Sequence, residues 1–198
     1  MHDNYLPLLV YVVVSTISPG GATAMATASG AQFGYRRSVP CLAGTATGLA
    51  SMAAFAAAGL AGVLLALPSL QVGMKATGSL YLLWLALRVA RSGRPSADTH
   101  LRKPMGFAGG VWMLWHNPKA WAVTLGAAAS FGALAHGPLQ LGALLGASFG
   151  MGAVMSLSVW CIAGLLLARL LKSELQWRVL NATLALLLVL SIVSLWVE

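Results

Sequence analysis

The sequence predicts an all-α integral membrane protein. Hydrophobic residues make up 59% of the 198 positions and charged residues only 8%, against about 25% charged residues in ordinary globular domains. Six apolar stretches each reach about 20 residues, the length needed to cross a hydrocarbon core about 30 Å thick. They lie near residues 5–30, 40–66, 69–90, 106–133, 138–168 and 178–197. The links are short, so we expect one transmembrane domain over residues 1–198.

The basic residues predict the orientation of these six helices. The net charge is +8, yet the cations are divided among three links instead of forming one basic face, which argues against nucleic acid as a partner. By the positive-inside rule these links are cytoplasmic, while the links near Pro68 and Gly137 face outward. Both termini are then outside. The cations of the three links are Arg36, Arg37, Arg88, Arg91, Arg94, Arg102, Lys103, Arg169, Lys172 and Arg178.

Helix-breaking residues interrupt the first and fourth stretches near their middle. The first carries Ser18, Pro19, Gly20 and Gly21, and the fourth carries Asn117-Pro118. Proline and glycine both disfavour a helix interior. Ser18-Pro19 and Asn117-Pro118 each match a helix start, with a capping side chain followed by proline at the first helical position. We therefore predict two half-helices that begin near the bilayer midplane.

The paired breaks predict two inverted three-helix repeats, over about 1–100 and 101–198. Each half has an odd number of spans, so the second half enters the membrane from the opposite side, as in many transporters. The alternative is two unrelated proline kinks. Glycine rows in the second and fifth stretches favour close helix packing, and exposed glycine faces are compatible with a homodimer. These rows are Gly44 and Gly48, and Gly142, Gly146 and Gly150.

The chemistry near the breaks predicts a pocket for an anion. Broken backbone in a membrane requires protein or a water-filled cavity around it, and helix N-termini favour negative charge. Lys119 directly follows the second break, and a charge within a span is by default functional. Lys75, in the third stretch, either lines the same cavity or extends outward to the interface. The four acidic residues, Asp3, Asp98, Glu174 and Glu198, lie in links or at the ends.

A ligand with a carboxylate fits these charges. The ammonium of an amino acid would meet carbonyls freed before the breaks, or an aromatic face such as Tyr81 or Trp115; both aromatics are also typical interface anchors. A dibasic amino acid fits less well, since nothing acidic awaits its side chain. His116 is a candidate proton relay beside Lys119, because histidine titrates near neutral pH, although packing is the commoner role.

Three motifs in order resemble the lysine exporter (LysE/RhtB) family of small bacterial amino-acid exporters. The family's Pro-Gly-Pro corresponds to Pro19-Gly20-Gly21, its K-x-x-G-x-x-Y-L pattern to Lys75, Gly78, Tyr81 and Leu82, and its Asn-Pro-Lys to Asn117-Pro118-Lys119. Gly21 replaces the second proline, which should loosen the first break. The acidic residue that many relatives carry in the second span is absent from "TGLAS". The resemblance implies amino-acid export across the bacterial inner membrane, coupled to protons.

Two other function classes remain open from the residues. An intramembrane enzyme is disfavoured, because no nucleophile has a base and an orienting group at suitable spacing. A non-transporting scaffold does not require two midplane breaks and intramembrane lysines. Cys41 and Cys161 stand alone as packing residues, so no metal or cofactor is expected. The leading prediction is a secondary transporter that exports a neutral amino acid or derivative, in contact with membrane lipid.

Overall fold

The protein is all-α throughout the residues that the structure describes. The computed structural model describes residues 5–60, 104–171 and 173–197, and isolated positions between 72 and 91. The α-helices in these ranges are α1 (Leu6–Ile17), α2 (Gly21–Phe33), α3 (Tyr35–Phe55), α4 (Phe107–Trp115), α5 (Pro118–Ser130), α6 (Pro138–Leu170) and α7 (Glu174–Val197). A π-helical segment, Ala56–Leu60, continues α3, and a 3₁₀ turn, Gly132–Leu134, follows α5.

Two of the described helical segments, Tyr35–Gly59 and Pro138–Leu170, are long and apolar enough to cross a bilayer. Helices α1 and α2 meet the same criterion only as a pair, bent by 56° at its break, which is the form of a broken span or of a re-entrant loop. The predicted all-α character is thus confirmed for the described residues, and their apolar helices are consistent with a membrane protein, while the six spans and the inverted repeat stay predictions. Most of the third predicted span lies outside the described residues.

A single glycine joins α2 to α3. Gly34 has a φ of 76°, a left-handed conformation that glycine adopts without steric cost. Across this turn Ser29 Oγ lies 2.7 Å from Ser38 Oγ and Met25 Sδ lies 3.4 Å from Cys41 Sγ, so the chain reverses direction at Gly34. Arg36 and Arg37 follow the turn and are exposed, so they mark one end of the helical bundle.

The predicted glycine rows pack inside the chain. A Cβ on Gly44 of α3 would overlap the backbone of Phe107 at the start of α4, and one on Gly142 of α6 would lie 3.3 Å from the carbonyl oxygen of Ala54. Close helix packing is confirmed for both rows. The homodimer was predicted from glycine faces expected to be exposed. Neighbouring helices of the same chain cover these faces, so they do not support a homodimer.

Helices α2 and α6 cross with their backbones in contact. A Cβ on Gly30 would overlap the carbonyl group of Cys161, and a Cβ on Gly164 would overlap that of Thr27. Each helix thus contributes one glycine to a reciprocal contact. In lipid, where apolar surfaces gain little by leaving the solvent, such close backbone approach is a main source of helix association.

We expect Gly164→Ala to destabilise the protein by about 1–3 kcal/mol, the usual cost of overpacking. The new methyl group would collide with backbone at Thr27, which cannot rotate away. The measurement is thermal unfolding in detergent. Gly132→Ala is the matched control, because no atom lies within 4 Å of its added Cβ; equal unfolding midpoints for the two variants would contradict the packing argument.

Candidate functional site

The first break separates α1 from α2 over Ser18, Pro19 and Gly20. Gly20, with a φ of −179°, is the N-cap of α2, and its amide donates to Thr23 Oγ1 at 2.8 Å. The Thr23 hydroxyl in turn donates to the Gly20 carbonyl at 3.0 Å. The prediction that Ser18-Pro19 starts the helix is therefore wrong. The Ser18 hydroxyl donates to Ser15 O at 3.0 Å, and Gly20 takes the N-cap position of α2 in its place.

The second break has the predicted form. Asn117 is the N-cap of α5, Pro118 is the first helical residue, and Asn117 Oδ1 accepts from the Lys119 amide at 3.1 Å. The capping bond satisfies one of the amides that a helix start leaves without an intrahelical partner. Asn117 thereby fixes the backbone from which the Lys119 side chain extends.

Side chains from α6 complete the backbone hydrogen bonding at the end of α1. Ser156 Oγ donates to Thr16 O at 2.7 Å, and Trp160 Nε1 donates to Ile17 O at 3.2 Å. An unsatisfied carbonyl in a membrane interior costs several kcal/mol. The two donors lie four residues apart on α6, so one face of this helix serves two successive carbonyls.

Lys119 joins the two breaks. Its Nζ donates to Ser18 Oγ at 2.8 Å, to Pro19 O at 3.0 Å and, at the longer distance of 3.4 Å, to Ser18 O. A Cβ on Gly20 would lie 3.2 Å from this Nζ, so the glycine leaves room for the ammonium. The structure thus brings the two predicted breaks together through a charged hydrogen-bonded contact.

A small pocket lies between the two breaks. Its volume is about 60 Å³, and a water molecule needs about 10–15 Å³ on the same scale, so it has room for several water molecules. Of the predicted site residues, Ser18, Gly20, Gly21, Asn117 and Lys119 line it. The other lining residues are Ser15, Thr16, Ala22, Thr23, Thr45, Leu49, Leu114, Ala120, Val123, Phe149, Ala153 and Leu157.

The remaining predicted site residues lie outside this lining or outside the described residues. Pro19 and Pro118 shape the breaks without lining the pocket. Trp115 packs edge-on against Phe55 and Trp121. Its Nε1 donates to a side chain of α3, at Ser51.

His116 follows the last residue of α4 and packs against Trp112. His116 Nδ1 lies 2.9 Å from Trp112 O, and the His116 ring lies 4.0 Å from the Trp112 ring. His116 does not line the pocket. Its proton-relay role stays a prediction, as do the roles of Lys75 and Tyr81, which lie outside the described residues.

Several residues that support the breaks were not predicted from the sequence. Thr23 fixes Gly20, Ser156 and Trp160 cap carbonyls of α1, and Tyr11 OH donates to Val123 O of α5 at 3.1 Å. Thr23 follows Gly20 by three residues, the spacing of a capping box, so a signal for it was present. Nothing in the sequence pairs Ser156, Trp160 or Tyr11 with helices far away along the chain.

Comparison with known proteins identifies the family. The LysE type translocator family matches residues 13–197. The chain belongs to this family. Members are translocators and not enzymes, which confirms the predicted family and the prediction that the chain is not an enzyme. They reside in the inner membrane.

Curated relatives cover nearly the whole chain. A cysteine/O-acetylserine efflux protein of Klebsiella pneumoniae subsp. pneumoniae is 32% identical over 194 residues, covering 96% of this chain and 95% of the relative. Proteins of the same name from Salmonella choleraesuis and Salmonella typhimurium are each 29% identical over 183 residues, covering 90% of both chains. No solved structure matches the chain.

We expect Thr23→Val to destabilise the protein by about 1–3 kcal/mol, because it leaves the Gly20 amide without its hydroxyl acceptor in a buried setting. Thr23 is only 4% exposed. Thr23→Ser, which keeps the hydroxyl, is the matched control and should unfold at a midpoint closer to the wild type. Thermal unfolding in detergent makes the comparison; a Thr23→Ser variant as unstable as Thr23→Val would show that the methyl group matters instead.

Proposed function

We propose that this translocator exports small neutral amino acids from the cytoplasm and binds them in the pocket between the two breaks. The observation that carries the proposal is the position of Lys119. Its ammonium lies at the pocket and contacts the opposite break, at Ser18 and Pro19. Lys119 is half-buried, and a cation within an interrupted span is by default a functional group in a membrane protein.

The pocket offers partners for a carboxylate. Lys119 supplies a full positive charge, and residues Gly21, Ala22 and Thr23 of the first turn of α2 line the same space. Amides of a first helical turn favour negative charge. A substrate carboxylate placed between them would interact with both half-helices at once.

The rest of the lining favours a small, uncharged side chain. Leu49, Leu114, Val123 and Phe149 supply apolar surface. No aspartate or glutamate occurs between residues 4 and 97 or between 99 and 173, so nothing acidic awaits a basic side chain. The volume of about 60 Å³ suits a compact substrate. The relatives are named for cysteine and O-acetylserine efflux, and we propose these two compounds as first candidates.

The proposed mechanism is alternating access, in which the pocket opens to one side of the membrane and then to the other. The halves 1–100 and 101–198 would form inverted repeats with both termini outside, as positive charge at Arg36 and Arg37 suggests. The crossing of Gly30 and Gly164 lies between the pocket and that basic end. Tight contact there supports a state closed toward the cytoplasm. Separation of these helices would admit substrate from inside, with export driven by proton antiport.

Lys119→Ala should reduce amino-acid efflux by about 10–100-fold, the usual effect of losing a charge-assisted hydrogen bond. Proteoliposomes loaded with labelled cysteine or O-acetylserine, under an imposed pH gradient, provide the measurement. Lys119→Arg keeps the charge and should retain more efflux than Lys119→Ala.

Arg178→Ala is the control for general loss of positive charge, since Arg178 is exposed on α7 and is no part of the pocket. It should export at the wild-type rate. Efflux by Lys119→Ala equal to that of wild type, or no efflux of any amino acid by wild type, would end the proposal.

A hydrated pocket also separates a transporter from a membrane scaffold. In a background with Cys41 and Cys161 replaced by alanine, we expect Ala120→Cys to react with a negatively charged thiol reagent, because Ala120 lines the pocket. Ala127→Cys is the control, since Ala127 is fully buried in the core and does not line the pocket. Labelling is read by mass shift. Protection of both cysteines would favour the scaffold.

A further inference from the structure

The first break holds a built binding site for an ammonium group. Three oxygens surround Lys119 Nζ: Ser18 Oγ at 2.8 Å, Pro19 O at 3.0 Å and Ser18 O at 3.4 Å. We call these three oxygens the ammonium cradle. Carbonyl oxygens exposed by a broken helix are typical cation ligands in transporters. In this structure the occupant is the protein's own ammonium.

We propose that the ammonium group of the substrate replaces Lys119 Nζ in the cradle, and that the displaced Lys119 then binds the substrate carboxylate. The inference rests on the proposed function, because it assumes an amino-acid substrate. Lysine and substrate present the same donor group, so they compete for the same oxygens. The exchange leaves each charge paired: substrate ammonium with the cradle, and Lys119 with the carboxylate.

Two hydroxyls of the pocket lining, those of Thr16 and Thr45, also favour a cation in the pocket. Thr16 Oγ1 donates to Val12 O at 2.7 Å, and Thr45 Oγ1 donates to Cys41 O at 2.9 Å. Each hydroxyl has one hydrogen and two lone pairs. With the hydrogen committed to a backbone carbonyl, the lone pairs are what Thr16 and Thr45 can offer to the pocket. One acceptor on α1 and one on α3 therefore face the pocket.

The exchange also accounts for a lysine that sits in a span without an acidic partner. An unpaired buried charge is strongly unfavourable, and the cradle satisfies Lys119 with neutral oxygens while the pocket is empty. Substrate binding then has to displace the Lys119 ammonium from the cradle. A zwitterion does this at the lowest free-energy cost, because it supplies a replacement cation for the cradle and an anion for Lys119. A monocarboxylate lacks the replacement cation, and a simple amine lacks the anion.

Propylammonium chloride tests the cradle without any transport step. It resembles the end of a lysine side chain, and we expect it to raise the unfolding midpoint of Lys119→Ala in a saturable manner, with an apparent affinity about tenfold or more above that for the wild type, whose cradle is occupied. Lys119→Arg should resemble wild type. Trimethylpropylammonium, which has the charge but no N–H donor, should stabilise neither. The same response to both cations, or no selective response in Lys119→Ala, overturns the cradle.

A second arm tests the exchange and separates it from the proposed function. In proteoliposomes without a pH gradient, propylammonium should inhibit the residual counterflow of labelled against unlabelled cysteine by Lys119→Ala and leave wild-type counterflow unchanged, because only the variant presents an empty cradle. Equal inhibition of both proteins overturns the exchange. A different outcome is that wild type moves no amino acid while propylammonium still binds selectively to Lys119→Ala. The proposed function then fails, and so does the replacement of Lys119 by a substrate ammonium. The ammonium cradle itself is supported.

Discussion

The hydrogen bonds from the Lys119 ammonium to Ser18 and Pro19 are the interaction on which the site depends. They connect two interrupted helices whose breaks lie about a hundred residues apart in sequence. Without them each break would be a separate kink, and the pocket would have no charged group common to both halves. Because the lysine follows Asn117-Pro118 directly, the capping geometry of one break sets the position of the cation that occupies the other.

The apolar surroundings make every backbone group at the first break important. Water is scarce in a bilayer, so the carbonyls that end α1 need protein donors. Ser156 and Trp160 provide two of these donors from a single helix, α6, and that helix is also held against α2 by the Gly30 and Gly164 crossing. Helix packing and hydrogen-bond satisfaction at the break are therefore consequences of the same placement of α6.

The two departures from the family motifs have structural counterparts. Gly21 stands at the second proline of the Pro-Gly-Pro pattern that the sequence resembles. It is the first residue of α2 and lines the pocket, while the Thr23 bonds keep the preceding Gly20 fixed. The break is thus held by side-chain hydrogen bonds where a second proline ring is missing. In α3, the residues that face the pocket are Thr45 and Leu49. Neither carries a charge, so α3 contributes hydroxyl and apolar surface to the site and no carboxylate.

The sequence by itself determined the membrane class, the places where two helices break, and the cap at Asn117, because hydropathy, proline and capping act over a few neighbouring residues. It misassigned the start of α2, since Ser18 was read from local spacing while its hydroxyl is bound to Ser15 and Lys119. Only the tertiary structure decided that Lys119 occupies the opposite break, that Ser156 and Trp160 cap α1, and that the glycine rows face inward. These contacts join segments distant in sequence, and their partners are chosen by how whole helices pack, which no local pattern encodes.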